Sequence, residues 1–254
     1  MSNNSVTIQK YADWISSILA VESVTDRYCT NGLQVCGDPQ QKLTRAAFAV
    51  DACMEVFHQA AEWKAGILVV HHGLFWPDIR QITGIQYRRI EALIRNNIAL
   101  YNVHIPLDAH TVYGNNAVLA RIAGAGQIKS IFNYAVSCTF KKKKPINSIA
   151  KLYEAALNTG VKTVIAEDRP IHKVIICSGG GAGILHKIND SSECDLFITG
   201  EQNHSIFHEA KEKKINVLFT GHYASETTGI KEIYSLSQKK FDFECRYFDS
   251  PSGM

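Results

Sequence analysis

The sequence predicts an α/β protein in which a largely parallel sheet is flanked by helices. Three observations carry this. Short, continuous apolar runs alternate with stretches of helical periodicity, the pattern of strands buried on both faces and covered by helices. Each apolar run ends in small or polar residues of the kind that turn a chain from strand to helix. The chain has 254 residues, 46% of them hydrophobic, enough for one large domain or two of ordinary size.

The elements follow in order. Ile8, Tyr11, Ile15, Ile18 and Leu19 recur at three- and four-residue intervals, so about 7–20 reads as an amphipathic helix capped by Ser5 or Thr7. After the turn-like TNGLQVCGDP, Ala46–Val50 reads as a strand, and Asp51 as the N-cap of a helix over about 52–64 that Gly66 ends. Further strands are expected at 67–70, 98–103, 173–177, 195–199, 215–219 and 243–248, with helices near 78–96, 115–123, 146–158, 202–213 and 224–236. The stretch from Gly124 to Ala150, which includes Lys141–Lys144, lacks clear periodicity and reads as a segment boundary; its lysines read as a solvated edge.

Composition removes several classes of function. Six prolines and 17 glycines exclude collagen-like and largely disordered chains. Seven cysteines form an odd set without a CxxC pair, so neither a disulfide framework nor a Cys-rich zinc module is expected, and a reducing, cytoplasmic setting is. No apolar run approaches the roughly 18–20 residues of a membrane span. A net charge of +3, from 27 basic and 24 acidic residues, makes no electrostatic case for a nucleic-acid partner.

Histidine stands out, with ten in the chain, several of them clustered at expected strand ends. ILVV runs into His71-His72-Gly73. Adjacent strand residues point to opposite faces, so the pair serves one centre only if the chain turns there, as Gly73 allows; two neighbouring metals are the alternative. YNV runs into His104-Ile105-Pro106-Leu107-Asp108-Ala109-His110, two imidazoles and a carboxylate within seven residues. VLFT runs into Gly221-His222-Tyr223-Ala224-Ser225-Glu226, where a helix starting near Tyr223 sets His222 and Glu226 on one side of its first turn. Taken singly, each reads as well as a cap or a surface pair. Taken together, three such segments in one inferred α/β sheet indicate imidazole and carboxylate ligation of Zn, Mn, Fe, Co or Ni. VIIC runs into Ser178-Gly179-Gly180-Gly181-Ala182-Gly183, whose glycines are two apart and whose loop lacks the Walker lysine, so a tight turn is the plainer reading than a nucleotide cradle. Glu201, His204 and His208 fall outside the ligand set.

These residues carry a resemblance. HHGLFW, the H-x-P-L-D-A-H string with Gly114-Asn115-Asn116, CSGGGAG at 177–183, Thr199-Gly200-Glu201, G-H-Y-x-x-E and the earlier Asn31-Gly32-Leu33-Gln34-Val35 together resemble the NIF-three-like dinuclear metal-centre hexamer family. Many members of that family are labelled GTP cyclohydrolase type 2 homologues. The resemblance spans about residues 7–250.

The resemblance implies two α/β domains with a metal site in the cleft between segments, and a toroidal homohexamer. It implies two divalent metal ions: His71 and His222 as ligands of one, His72 and Asp108 of the other, and Glu226 as the bridge and the residue on which catalysis depends. His104 and His110 then surround the ligands or face a substrate. Because the ligands come from 71–72, 108 and 222–226, residues 1–125 and 215–254 are expected to form one discontinuous metal-site domain, with 126–214 inserted. The implied activity is hydrolysis of a nucleotide or other phosphate-bearing small molecule. The alternative is a metal storage, delivery or insertion factor whose partner is a metal-receiving protein.

Overall fold

A computed structural model describes residues 6–77 and 81–254. Its strands are β1 (Gly32–Val35), β2 (Arg45–Asp51), β3 (Ile67–His72), β4 (Ala99–Asn102), β5 (Gly126–Ile131), β6 (Ala135–Lys144), β7 (Lys162–Val164), β8 (Ile171–Cys177), β9 (Leu196–Thr199), β10 (Asn216–Phe219) and β11 (Glu244–Tyr247). The α-helices are α1 (Ile8–Ile18), α2 (Met54–Glu62), α3 (Gly84–Arg95), α4 (Ile105–Ala109), α5 (Asn115–Ile122), α6 (Ile146–Leu157), α7 (Phe207–Glu212) and α8 (His222–Lys240). The chain divides into two compact units: the first runs to Leu107 and resumes over Ile230–Ser250, and the second takes Asp108–Gly229 with Pro251–Met254. Both are α/β, as expected.

In the first unit the sheet has the order β1-β4-β3-β2-β11. The pairings from β4 through β11 are parallel, and β1 runs antiparallel at the edge. β2 and β3 are buried on both faces, which is why their sequences are continuously apolar rather than alternating. On one face, Val56, Phe57 and Ala60 of α2 and Leu93 of α3 close over Ala47, Leu68, Val70 and Leu100. Burial of a side chain such as Phe57 stabilises the fold by ~1.5–3 kcal/mol.

The other face takes α1 and the later turns of α8. Thr7 accepts the Lys10 N–H and caps α1, while Ile8, Tyr11, Ala12 and Ile15 form its buried stripe; Ser5 lies outside the described residues. Tyr234 of α8 meets Phe48 edge to face. Inside this layer the Tyr11 hydroxyl lies 2.7 Å from Ser237 Oγ, which itself donates to the Ile233 carbonyl, so Tyr11 is the donor. Burial pushes the Tyr11 phenol well above its ordinary pKa. Tyr11→Phe is expected to cost about 1 kcal/mol, read as a lower urea midpoint at unchanged slope.

The second unit carries a six-stranded sheet of order β5-β6-β8-β9-β10-β7. Its centre, β8-β9-β10, is parallel, and β5, β6 and β7 add antiparallel pairings at both sides. α5 and α6 cover one face through Leu119, Ala120, Ile149 and Tyr153. A 3₁₀ segment over Gly181–Lys187 and α7 cover the other through Ile184, Leu185 and Ala210. In the parallel register Cys177 lies beside Thr199 and Thr199 beside Phe219, so the three strands finish level.

Several elements depart from the sequence reading. Asp51 is not a helix cap: it ends β2, and α2 begins behind Cys53. The helix expected over 78–96 is α3, and residues 78–80 lie outside the described residues. The stretch read as aperiodic forms β5 and the ten-residue β6, and β1 and β7 have no counterpart among the expected strands. All seven cysteines are free. Among the described residues, no helix is long and apolar enough to cross a membrane.

Candidate functional site

The donor side chains fall in two groups, one in each unit. In the first unit, β3 lies between β2 and β4 and delivers His71 and His72 at its carboxyl end, where ligands bind in parallel sheets. The parallel register sets Asp51 opposite His72, and Asp51 Oδ1 receives His72 Nδ1–H at 2.8 Å. His71, fully buried, donates through Nδ1 to the Val103 carbonyl at 3.0 Å. His104, the next residue after Val103, donates through Nδ1 to Asp26 Oδ2 at 3.0 Å, and its backbone N–H goes to Asn31 Oδ1 at 2.7 Å. Ring centroids of His71 and His72 are 4.6 Å apart, and His104 lies 5.2 and 5.6 Å from them. One donor nitrogen from each of the three imidazoles falls within 4.8 Å of the others. The Trp76 indole stands edge-on to His104 at 5.2 Å and walls the group.

In the second unit the level ends of β8, β9 and β10 release Ser178-Gly179, Gly200-Glu201 and Thr220-Gly221-His222 side by side. Backbone hydrogen bonds from Glu201 N–H to Gly179 O and from Gly221 N–H to Gly200 O continue the ladder past the strands. α8 begins at His222, so Glu226 is one turn on; His222 Nε2 and Glu226 Oε2 are 3.1 Å apart. His222 Nδ1 meets Glu201 Oε1 at 2.6 Å. The hydrogen bond to Glu226 chiefly, reinforced by that carboxylate's charge and by Glu201, raises the His222 pKa to about 9 against the opposing effect of burial. An environment that holds a proton this firmly is one that attracts a cation.

Asp108 sits in the short helix α4, not in an open loop, and its Oδ1 accepts from Asn115 Nδ2 and Ser178 Oγ, each at 2.9 Å. Carboxylate oxygens of Asp108 and Glu226 lie within 4.8 Å of each other. Beneath them Cys177 is buried, and burial first, then these two carboxylates, push its thiol far above the usual range. It stays protonated, which leaves nitrogen and oxygen donors only.

One feature unites His71, His72, His104 and His222. Each gives Nδ1 to an oxygen acceptor, the arrangement metal-ligating histidines share; in His222 the raised pKa keeps Nε2 protonated toward Glu226, a proton that a bound cation would displace. His110 differs: its Nδ1 accepts the Tyr113 N–H at 2.9 Å and its ring stacks on Tyr113, so its proton sits on Nε2 and it acts as a turn cap. His204 and His208 are exposed and pair with each other.

Three carboxylates escape a reading by motif. Asp51 reads locally as a cap, Glu201 stands in the Thr199-Gly200-Glu201 string without a ligand role, and Asp26 has no local signal, since its partner His104 is 78 residues away. Asp26 receives five hydrogen bonds, from His104, Asn31 and the N–H groups of Tyr28, Cys29 and Ile105. Burial raises its pKa, but these donors outweigh burial and hold the carboxyl well below the usual carboxylate range.

Comparison with known proteins agrees over the whole length. The chain is 39% identical over 247 residues to a "GTP cyclohydrolase 1 type 2 homolog" of Archaeoglobus fulgidus, covering 95% of this chain and 97% of that one. A protein of the same name from Treponema pallidum is 38% identical, over 88% and 91% of the two chains. Among solved structures, TTHA1606 from Thermus thermophilus superposes with a TM-score of 0.90 at 32% identity, over 98% of this chain and all of the other. The family model described as Duf34/NIF3 (NGG1p interacting factor 3) matches residues 6–251, the span that holds both groups of donors, and the chain belongs to that family.

Proposed function

We propose that the protein is a metal-dependent hydrolase of a nucleotide or another phosphate-bearing small molecule, GTP cyclohydrolase-like in class, using two divalent cations. His71 and His222 would be ligands of one and His72 and Asp108 of the other, with Glu226 serving both. The observation that carries the reading is the common orientation of the imidazoles, each with Nδ1 tied to an oxygen acceptor. A donor set of imidazole and carboxylate suits Zn, Mn, Fe, Co or Ni. The names of the relatives favour a cyclohydrolase-type substrate.

Bound cations would supply Lewis acidity toward a substrate oxygen and toward water. The protein's own residues do the positioning. Asp51 and Glu201 hold the rings of His72 and His222, Asn115 and Ser178 fix the Asp108 carboxylate, and Glu226, buried, contributes charge that Gly179 leaves room for. We place this activity in the cytoplasm and in a toroidal homohexamer, with mass in solution by light scattering as the check on assembly.

The test is turnover of a panel of nucleotides and phosphoesters with Mn, Zn, Fe or Co. Wild type is expected to show metal-dependent turnover that Glu226→Ala reduces to background. Equal activity in the two, or none in wild type with any metal, overturns the hydrolase. Metal retained and passed to an acceptor protein without turnover assigns storage or delivery instead.

A further inference from the structure

We propose that His104 is a metal-facing imidazole in its own right, presented through Nε2 beside His71 and His72, and that Asp26 is the positioning residue that presents it. The inference rests on the metal-centre reading above and adds a donor to the five residues named there.

His104 shares the features that set His71 and His72 apart. Its Nδ1 is committed to an acceptor, its ring centroid lies 5.2 Å from that of His71, and its donor nitrogen falls within 4.8 Å of theirs. Its placement is braced rather than incidental. Asp26 Oδ2 takes His104 Nδ1–H at 3.0 Å and the Ile105 N–H at 3.2 Å, and so grips the residue and its successor together. Asn31 closes the ring, with Oδ1 accepting the His104 backbone N–H at 2.7 Å and Nδ2 donating to Asp26 Oδ2 at 3.0 Å. Oδ1 of the same carboxylate takes the N–H groups of Tyr28 at 2.8 Å and Cys29 at 3.1 Å, which anchors the loop that carries it. A histidine needed only for packing requires no control of its tautomer; one that must offer a lone pair from Nε2 does.

Asp26→Asn is nearly isosteric, and its amide cannot accept at both oxygen positions. An amide NH₂ facing His104 forces Nδ1 to accept, moves the imidazole proton to Nε2, and removes the donor. The experiment is a Co(II) titration of the full chain by calorimetry and visible absorption, with ¹⁵N spectra of the metal-free protein to read the His104 tautomer. Wild type, Asp26→Asn, His104→Ala and the destabilised control Tyr11→Phe are compared, each with its melting temperature.

Wild type is expected to hold the His104 proton on Nδ1. Asp26→Asn should move it to Nε2 and weaken cobalt binding about 10–100-fold, and His104→Ala should weaken it at least as much and change the d–d bands. Tyr11→Phe, which touches none of these residues, lowers the melting temperature while leaving the bands in place. If wild type binds cobalt and both His104→Ala and Asp26→Asn match it in affinity and spectrum, this inference falls while the metal centre stands. If wild type takes up no cobalt, the metal centre falls and this inference with it.

Discussion

Gly179→Ala is expected to destabilise the protein by about 2–5 kcal/mol, the sum of an overpacking cost of ~1–3 kcal/mol and a left-handed backbone cost of ~1–2 kcal/mol. Gly179 has φ +57°, where an L side chain is strained, and an added Cβ would stand 1.9 Å from Glu226 Oε1 and 2.8 Å from its carboxyl carbon. Glu226 cannot step aside cheaply, because it is 4% exposed and held against His222 at 3.1 Å. Nor can the loop retreat: its N–H donates to Ser225 Oγ at 3.0 Å, its carbonyl accepts the Glu201 N–H, and Gly200 lies against it so closely that a Cβ there would meet the Gly179 nitrogen at 2.8 Å. Gly183→Ala is the matched control in the same loop. Nothing lies within 4 Å of its Cβ position, and the change is expected to stay within about 0.5 kcal/mol of wild type. Urea midpoints of the two variants measure the difference; equal midpoints would refute this account of the loop.

The contrast between these glycines shows what was legible in the sequence and what was not. The glycine-rich loop after β8 reads as a tight turn because the apolar strand before it leaves a local pattern, whereas the 3₁₀ segment over Gly181–Lys187 that follows has no counterpart among the expected helices. Which glycine is indispensable depends on Glu226, far along the chain, and spacing does not carry that. The same division runs through the fold. β2, β3, β8, β9 and β10 are legible because strands buried on both faces must be apolar throughout. β5 is mostly exposed and β7 has three residues, so neither leaves a pattern. β6 did leave one: Val136, Cys138 and Phe140 are buried with Ser137 and Thr139 between them, an alternation of period two masked by the lysines that follow. At the site, histidines at strand ends are visible as a cluster. The acceptors Asp26 and Asp51 are not, because a carboxylate in a turn or before a helix has a sufficient local explanation and its real partner is fixed by sheet register.

Asn116→Leu is expected to cost at least about 2 kcal/mol, since it replaces a side chain of similar size and strands two buried backbone groups at ~1–3 kcal/mol each, with a part-buried third. Asn116 is fully buried at the start of α5. Its Nδ2 donates to the Asp108 carbonyl at 3.1 Å and the Tyr134 carbonyl at 2.9 Å, and its Oδ1 accepts the Ser178 N–H at 2.7 Å. One amide thus ties the α4 segment to the turn before β6 and to the end of β8. Asn116→Asp is no remedy, because a carboxylate repels both carbonyls and carries an unpaired charge into the core. The consequence extends to chemistry, for Ser178 Oγ donates to Asp108 Oδ1, as Asn115 Nδ2 does. Loss of the Ser178 backbone anchor should release that contact and weaken Co(II) binding along with the fold. Asn115→Leu separates the two effects: Asn115 gives Nδ2 directly to Asp108 Oδ1 and takes the Gly229 N–H at 2.7 Å, but holds no part of β8. Urea denaturation and cobalt titration of both variants are therefore expected to rank Asn116 first for stability and Asn115 first for loss of metal affinity per unit of stability lost. The reverse order would mean that Asp108 is positioned by its helix alone.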